Sequence, residues 1–188
     1  MLKQGSLDIP ILENRQLSSL AKDKLGFTGK NHDICSHPEL TDSDNFEYIC
    51  LNLETLRCFE VVTQQYADVG VIFENCIAIH PSNPAFPTAS GNIVLLAAPN
   101  CGLIQVNFLQ PVKIVKAFVT SSQRLEMSAY NRDRQLVDRS ILVGANLANS
   151  NSSVPPNMLV QVQAAEIHAV TFSVLNGQFT VDDFSFCR

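Results

Sequence analysis

The sequence predicts an all-β protein: an antiparallel β-sandwich or jelly roll over residues 47–188, preceded by an N-terminal arm over 1–46. Two observations carry this. From about residue 47 the chain becomes a string of short runs rich in Val, Ile, Phe and Leu, separated by Gly, Pro, Asn and Ser. Several runs alternate strictly: Ile104, Val106 and Phe108 interleave with Gln105 and Asn107, and Leu125, Met127 and Ala129 with Glu126, Ser128 and Tyr130. Period-two alternation puts one face of a sheet in a core and the other in water. No helical periodicity intervenes between runs, which excludes a βαβ sheet.

In chain order, residues 1–46 differ from the rest. "ILENRQLSSLAKDKL" spaces Leu12, Leu17, Leu20 and Leu25 loosely on one side of a short helix after Asp8 and Pro10, and the turn-rich "GFTGKNHDICSHPELTDSDN" reads as a long loop. The β-type runs follow: "YICLNLETL", "VGVIFENCIAI", "NIVLLAA", "GLIQVNF", "VKIVKAFVTS", "RLEMSAYN", "QLVDRSILVG", "NMLVQVQ", "EIHAVTFSVL" and "QFTVDDFSF". Asn131 to Arg134 turns between two of them as a hairpin, and long loops fall at 81–92 and 144–157. The last run poses a problem. Phe179 and Val181 share one parity, Phe184 and Phe186 the other, and the flip falls on Asp182–Asp183. Either both faces are covered there or a bulge sits at the pair, and a carboxylate so close to a core needs a partner.

Composition narrows function. Of 188 residues 46% are apolar, enough for a core, and the net charge of −5 argues against a phosphate-tracking surface, so no nucleic acid is expected. No apolar run reaches the length of a membrane span. The opening "MLKQGSLDIPILENRQ" lacks a basic region followed by an apolar core, so no signal peptide is read there and the cytosol is the default compartment; a processed exported chain would open in the same way. The six cysteines, Cys35, Cys50, Cys58, Cys76, Cys101 and Cys187, have irregular spacing and no C-x-x-C pair, so reduced thiols are expected, several packed in strands.

The order of motifs resembles a group of bacterial galactose-binding-like jelly-roll modules, over roughly 47–188. The likeness lies in Leu53–Glu54, then Tyr66, Gly70, Val71 and Phe73, then "SGN", then Phe108, Pro111 and Val112, and the closing Asp182 to Phe186. The group's opening Phe is Leu53 here, and its Asp-x-x-Gly hairpin is Asn131-Arg-Asp-Arg. The resemblance implies a structural calcium ion held by acidic residues of the opening and closing strands, here Glu54, Asp183 and Asp182. The competing reading gives these carboxylates hydrogen bonds from loop N–H groups, or an arginine partner. The resemblance also implies carbohydrate binding at one loop edge, with Asn83, Phe86, Asn146 and Asn149 as contributors. Sugar sites use aromatic platforms, and a chain without Trp and with three Tyr offers Phe86 and Tyr130.

Other chemistry finds less support. His32, Cys35 and His37 match no standard zinc spacing. There is no G-x-S-x-G elbow and no phosphate-cradling glycine loop, and His80 and His168 lie in strand-like text. Adjacent aspartates on one strand cannot straddle a sugar ring as glycosidase carboxylates do. The expectation is a non-enzyme: a ligand-binding module, with a structural or protein-interaction domain as the alternative.

Overall fold

A computed structural model describes residues 47–99 and 101–188; the expected N-terminal helix and the His32–Cys35–His37 cluster lie outside the described residues. The described chain is all-β and antiparallel. Its strands are β1 (Tyr48–Cys50), β2 (Val61–Val62), β3 (Val71–Glu74), β4 (Cys76–Ile79), β5 (Val94–Ala97), β6 (Leu103–Ser121), β7 (Leu125–Tyr130), β8 (Leu136–Leu142), β9 (Met158–Val174) and β10 (Phe179–Cys187). Two short 3₁₀ turns, Leu53–Thr55 and Ala67–Val69, are the only helical segments among the described residues. None is long and apolar enough to cross a membrane.

The strand order is β2-β4-β5-β10-β6-β9-β7-β8, with β1 beside β10 and β3 beside β6. The segments "GLIQVNF" and "VKIVKAFVTS" are one 19-residue strand, and "NMLVQVQ" and "EIHAVTFSVL" one of 17. Both are irregular in the middle: their mutual register shifts between Asn107 and Val112 and again between Val112 and Ile114. There β6 changes lateral partner, from β3 along Gln105–Phe108 to β10 along Ile114–Ser121. Irregularities of this kind bend a strand and increase its twist. The bend brings the two halves of the sheet over one core. Phe184 of β10 lies 5.7 Å, centroid to centroid, from Phe73 of β3 and 6.3 Å from Phe172 of β9, strands to which β10 is not paired. The result is sandwich-like.

The alternation behaves as expected. Ile104, Val106 and Phe108 are core, while Gln105 and Asn107 turn outward to share the Glu74 carboxylate. The hairpin between β7 and β8 is tied by Asn131, whose side-chain oxygen accepts the N–H groups of Asp133 and Gln135. The parity flip in β10 has both anticipated causes. Every residue of β10 but Asp183 is buried, and the register against β6 slips by one residue between Asp182 and Ser185. Asp183 is the extra residue, at φ 45°, left-handed backbone that aspartate tolerates better than most residues. The slip returns Phe184 and Phe186 to the side occupied by Phe179 and Val181, and all four are core.

Five cysteines lie among the described residues and all are free thiols. Cys76 and Cys187 are buried; burial pushes the Cys76 thiol up to about 12 and raises that of Cys187. Cys58 and Cys101 are exposed. A thiolate-directed reagent should therefore label Cys58 and Cys101 in the native protein and reach Cys76 and Cys187 only in denaturant. Peptide mapping after labelling reads this out, and native-state labelling of Cys76 would contradict the packing.

Candidate functional site

The opening and closing segments lie side by side. Strand β1 runs antiparallel to β10, Tyr48 opposite Cys187 and Cys50 opposite Ser185, and the Leu51 N–H donates to the Phe184 carbonyl at 3.0 Å. Just beyond β1 the Asn52 side chain caps the turn Leu53–Thr55, accepting the Glu54 N–H at 3.0 Å, which fixes where Glu54 starts.

All three predicted carboxylates then reach one piece of chain, residues 88–93. Glu54 Oε1 accepts the Asn92 N–H at 2.7 Å and the Ile93 N–H at 2.9 Å. Asp182 Oδ2 accepts the N–H groups of Ala89 at 2.7 Å and Ser90 at 3.3 Å, and its Oδ1 takes the Asp183 N–H at 2.8 Å. The Ser90 hydroxyl donates to Asp183 Oδ1. Gly91 is required at the apex: its φ is 54°, and a Cβ there would sit 2.7 Å from Glu54 Cδ. The "SGN" stretch is thus a loop whose amides are matched to Glu54 and Asp182 and whose Ser90 hydroxyl is matched to Asp183.

The environments differ. The backbone bonds from Asn92 and Ile93 hold the Glu54 carboxyl below its ordinary 4.5. Asp182 is 3% exposed, and burial pushes its carboxyl up; the bonds from Ala89, Asp183 and Ser90 oppose this and the Asp183 charge adds to it. Calcium seeks six to eight oxygens and repels N–H donors. Here Glu54 Oε1 and both Asp182 oxygens already face N–H donors. Among the described residues no group of three or more His, Cys, Asp and Glu side chains is gathered to hold a metal. As arranged, Glu54 and Asp182 accept loop amides, and Asp183 accepts the Ser90 hydroxyl.

The predicted ligand residues separate. Asn83 is exposed on the 81–92 loop, its side-chain oxygen accepting the Ala85 N–H. Phe86, expected as an exposed platform, is 8% exposed and forms part of a cleft wall. Asn146 is a correction. It is fully buried, its Oδ1 accepts the Ser121 N–H at 2.6 Å, and its Nδ2 donates to the Val119 and Pro155 carbonyls. With its hydrogen-bonding groups engaged inside the protein it cannot serve a ligand; it anchors the 144–157 loop. Asn149 is exposed on the 144–157 loop, which meets the loop of Asn83 at the Ala148 N–H and the Ala85 carbonyl, 3.0 Å apart. Tyr130 is half-buried at the end of β7.

Sequence reasoning missed Phe59. It is 79% exposed and sits at φ 66°. A bulky aromatic side chain in left-handed backbone is rare and costs about 1–2 kcal/mol. The turn is fastened at several points: Glu60 N–H to the Arg57 carbonyl at 3.0 Å, Arg57 N–H to Glu60 Oε2 at 2.8 Å, and Phe59 N–H to the Ala78 carbonyl at 2.7 Å. Phe59 stands at one side of a cleft of about 210 Å³, with His80, Asn83, Phe86, Leu96 and Gln178 among its other walls. The cleft lies against the loop that the carboxylates clamp. No glycine or asparagine marks the turn, so nothing in the sequence signalled it.

No protein-family model matches the chain, and no curated protein does. Among solved structures it is similar to a DUF4465 family protein from Bacteroides caccae ATCC 43185, at 8% identity and a TM-score of 0.40, covering 75% of this chain and 86% of that one. It is also similar to an arabinose-bound α-L-arabinofuranosidase at 9% identity and a TM-score of 0.38, covering 68% of this chain and 24% of that one.

The clamp has testable energetics. Asp182→Ala leaves three N–H groups without their acceptor and should lower stability by about 1–3 kcal/mol in denaturant melts. Glu54 has a lowered folded value, so its stabilisation is complete above the ordinary 4.5 and is lost as pH falls through the folded value. The stability gap between wild type and Glu54→Gln should therefore close on acidification. Asp182 has the opposite sign: its raised folded value means that its ionisation costs stability as pH rises through that value.

A second melting experiment addresses the cation directly. With amides already on Glu54 and Asp182 and the Ser90 hydroxyl on Asp183, the melting temperature should be equal in calcium and in chelator. A calcium-dependent rise abolished by Asp183→Ala would show that the loop can turn its carbonyls inward.

Proposed function

We propose that this domain is a non-catalytic ligand-binding module of the galactose-binding-like jelly-roll kind, and that its ligand is carbohydrate, held in the cleft beside Phe59. The observation that carries the reading is Phe59 itself. Backbone strain in a folded protein persists where the surroundings enforce it, and it concentrates at ligand sites. Here the strain keeps a flat apolar ring in water at the mouth of a concave surface. An aromatic ring supplies contact area at low entropic cost, and the CH faces of a sugar stack on it while its hydroxyls need polar partners. His80, Asn83 and Gln178 provide those partners, and Phe86 and Leu96 the apolar wall. An apolar surface with a few convergent polar groups is the general form of a small-molecule site.

A second reading, a protein-interaction domain, is favoured by β8. Among the described residues it is the last strand in the sheet order and exposes Leu136 at 51% and Val137 at 39%, and an exposed apolar edge is a template for another chain.

A glycan array followed by calorimetry tests the carbohydrate reading. One platform ring and an open site should give affinities of about micromolar to millimolar. Phe59→Ala should weaken binding at least about tenfold while the fold stays intact, and Phe59→Gly should also raise stability by up to about 1 kcal/mol, because glycine relieves the strain. Phe86→Ala should instead destabilise by about 3–5 kcal/mol, as deletion of a buried aromatic does. A silent array would favour the interaction through β8.

A further inference from the structure

Next to the Phe59 cleft lies a larger one, about 780 Å³, bounded by Ala98, Cys101, Ser122, Leu175 and Asn176. The two are not separate. Leu96 and Gln178 line both. Gln178 sits at the junction with its main chain pinned: its N–H donates to Ser122 Oγ at 2.8 Å, and its carbonyl accepts from the Ser122 N–H at 2.9 Å and hydroxyl at 3.1 Å. Its side-chain amide is exposed and takes no part in these bonds. Each cleft has one of the most exposed large apolar side chains in its lining, Phe59 at 79% in one and Leu175 at 83% in the other.

The linings share a second property. Among the described residues, neither cleft is lined by any Asp, Glu, Lys or Arg. A surface offering amides, hydroxyls and apolar walls without formal charge complements a ligand with hydroxyls and CH faces and no charge of its own. An anionic polymer would find no cation among these lining residues.

We infer that the two clefts form one groove that takes a linear, uncharged oligosaccharide along its length. In this arrangement Phe59 and Leu175, one in each cleft, contact different sugar units, and the Gln178 amide, shared by both clefts, reads hydroxyls between them. The inference rests on the carbohydrate reading of the Phe59 cleft and extends it from a single sugar to several consecutive units of a chain.

The test is calorimetric titration of the full chain with two neutral series, glucose, cellotriose and cellohexaose, and xylose, xylotriose and xylohexaose, with polygalacturonate as the charged control. In at least one series the hexamer should bind at least about tenfold tighter than the monosaccharide. Leu175→Ala should weaken the hexamer several-fold and leave the monosaccharide unchanged; the side chain is solvent-exposed, so the fold survives. Raising salt should leave neutral binding unaltered, because no charge is screened. Equal affinity for monomer and hexamer, with Phe59→Ala still weakening both, would overturn the extended groove while sparing the Phe59 site. Tighter binding of polygalacturonate would overturn the uncharged-ligand assignment. Silence across both series and the control would overturn the groove and the carbohydrate reading together.

Discussion

One extra residue in the last strand organises much of this protein. Asp183 adopts left-handed backbone, and β10 slips by one against β6. Before the slip β10 pairs with β5; after it, with β1. Without the slip, Phe184 and Phe186 would point away from the core that Phe179 and Val181 enter. With it, Phe184 reaches rings on β3, β6 and β9 and joins the two halves of the sheet. The same local geometry places the Asp182 and Asp183 side chains outside the core, where the 81–92 loop covers them. Core packing and loop attachment are therefore consequences of a single bulge.

The loop attachment is a matter of satisfying polar groups. A tight glycine-containing loop lying on a sheet points several N–H groups inward, and such groups are costly if left bare. Asp182 is the acceptor whose burial is most complete; burial penalises its charge and the N–H bonds return part of that penalty. Glu54 does the same work from a solvated position, where the bonds dominate and the carboxyl becomes more acidic. Two carboxylates on one loop thus titrate in opposite directions for a clear reason: one is chiefly desolvated, the other chiefly hydrogen-bonded. The loop they hold carries the wall formed by Asn83 and Phe86, and the cleft inherits that rigidity.

Opposite this wall the turn 57–60 does the reverse of minimising energy locally. It keeps a phenylalanine in backbone suited to glycine and leaves the ring in water. The Glu60 carboxylate, bonded to the Arg57 N–H and to the Gln65 side chain, fastens that turn. Local rules break here, and such departures mark places where a structure serves something besides its own stability.

The sequence by itself determined the class of fold, the core parity of the alternating strands, the hairpin at Asn131 and the anomaly at Asp182–Asp183, because side-chain period and turn chemistry are local properties. The family resemblance, not the local pattern, was what implied that Glu54 and the aspartates lie together. Tertiary structure decided the rest. Whether an asparagine such as Asn146 faces solvent or closes a buried loop depends on which carbonyls arrive beside it from β6 and from Pro155, and no local pattern encodes that. Whether Phe86 or Phe59 is the exposed ring depends on which loop lies over the sheet and which turn is forced open. Those outcomes rest on contacts between residues far apart in the chain, and the residues of one cleft, Phe59, Asn83 and Gln178, become neighbours only after the sheet has bent.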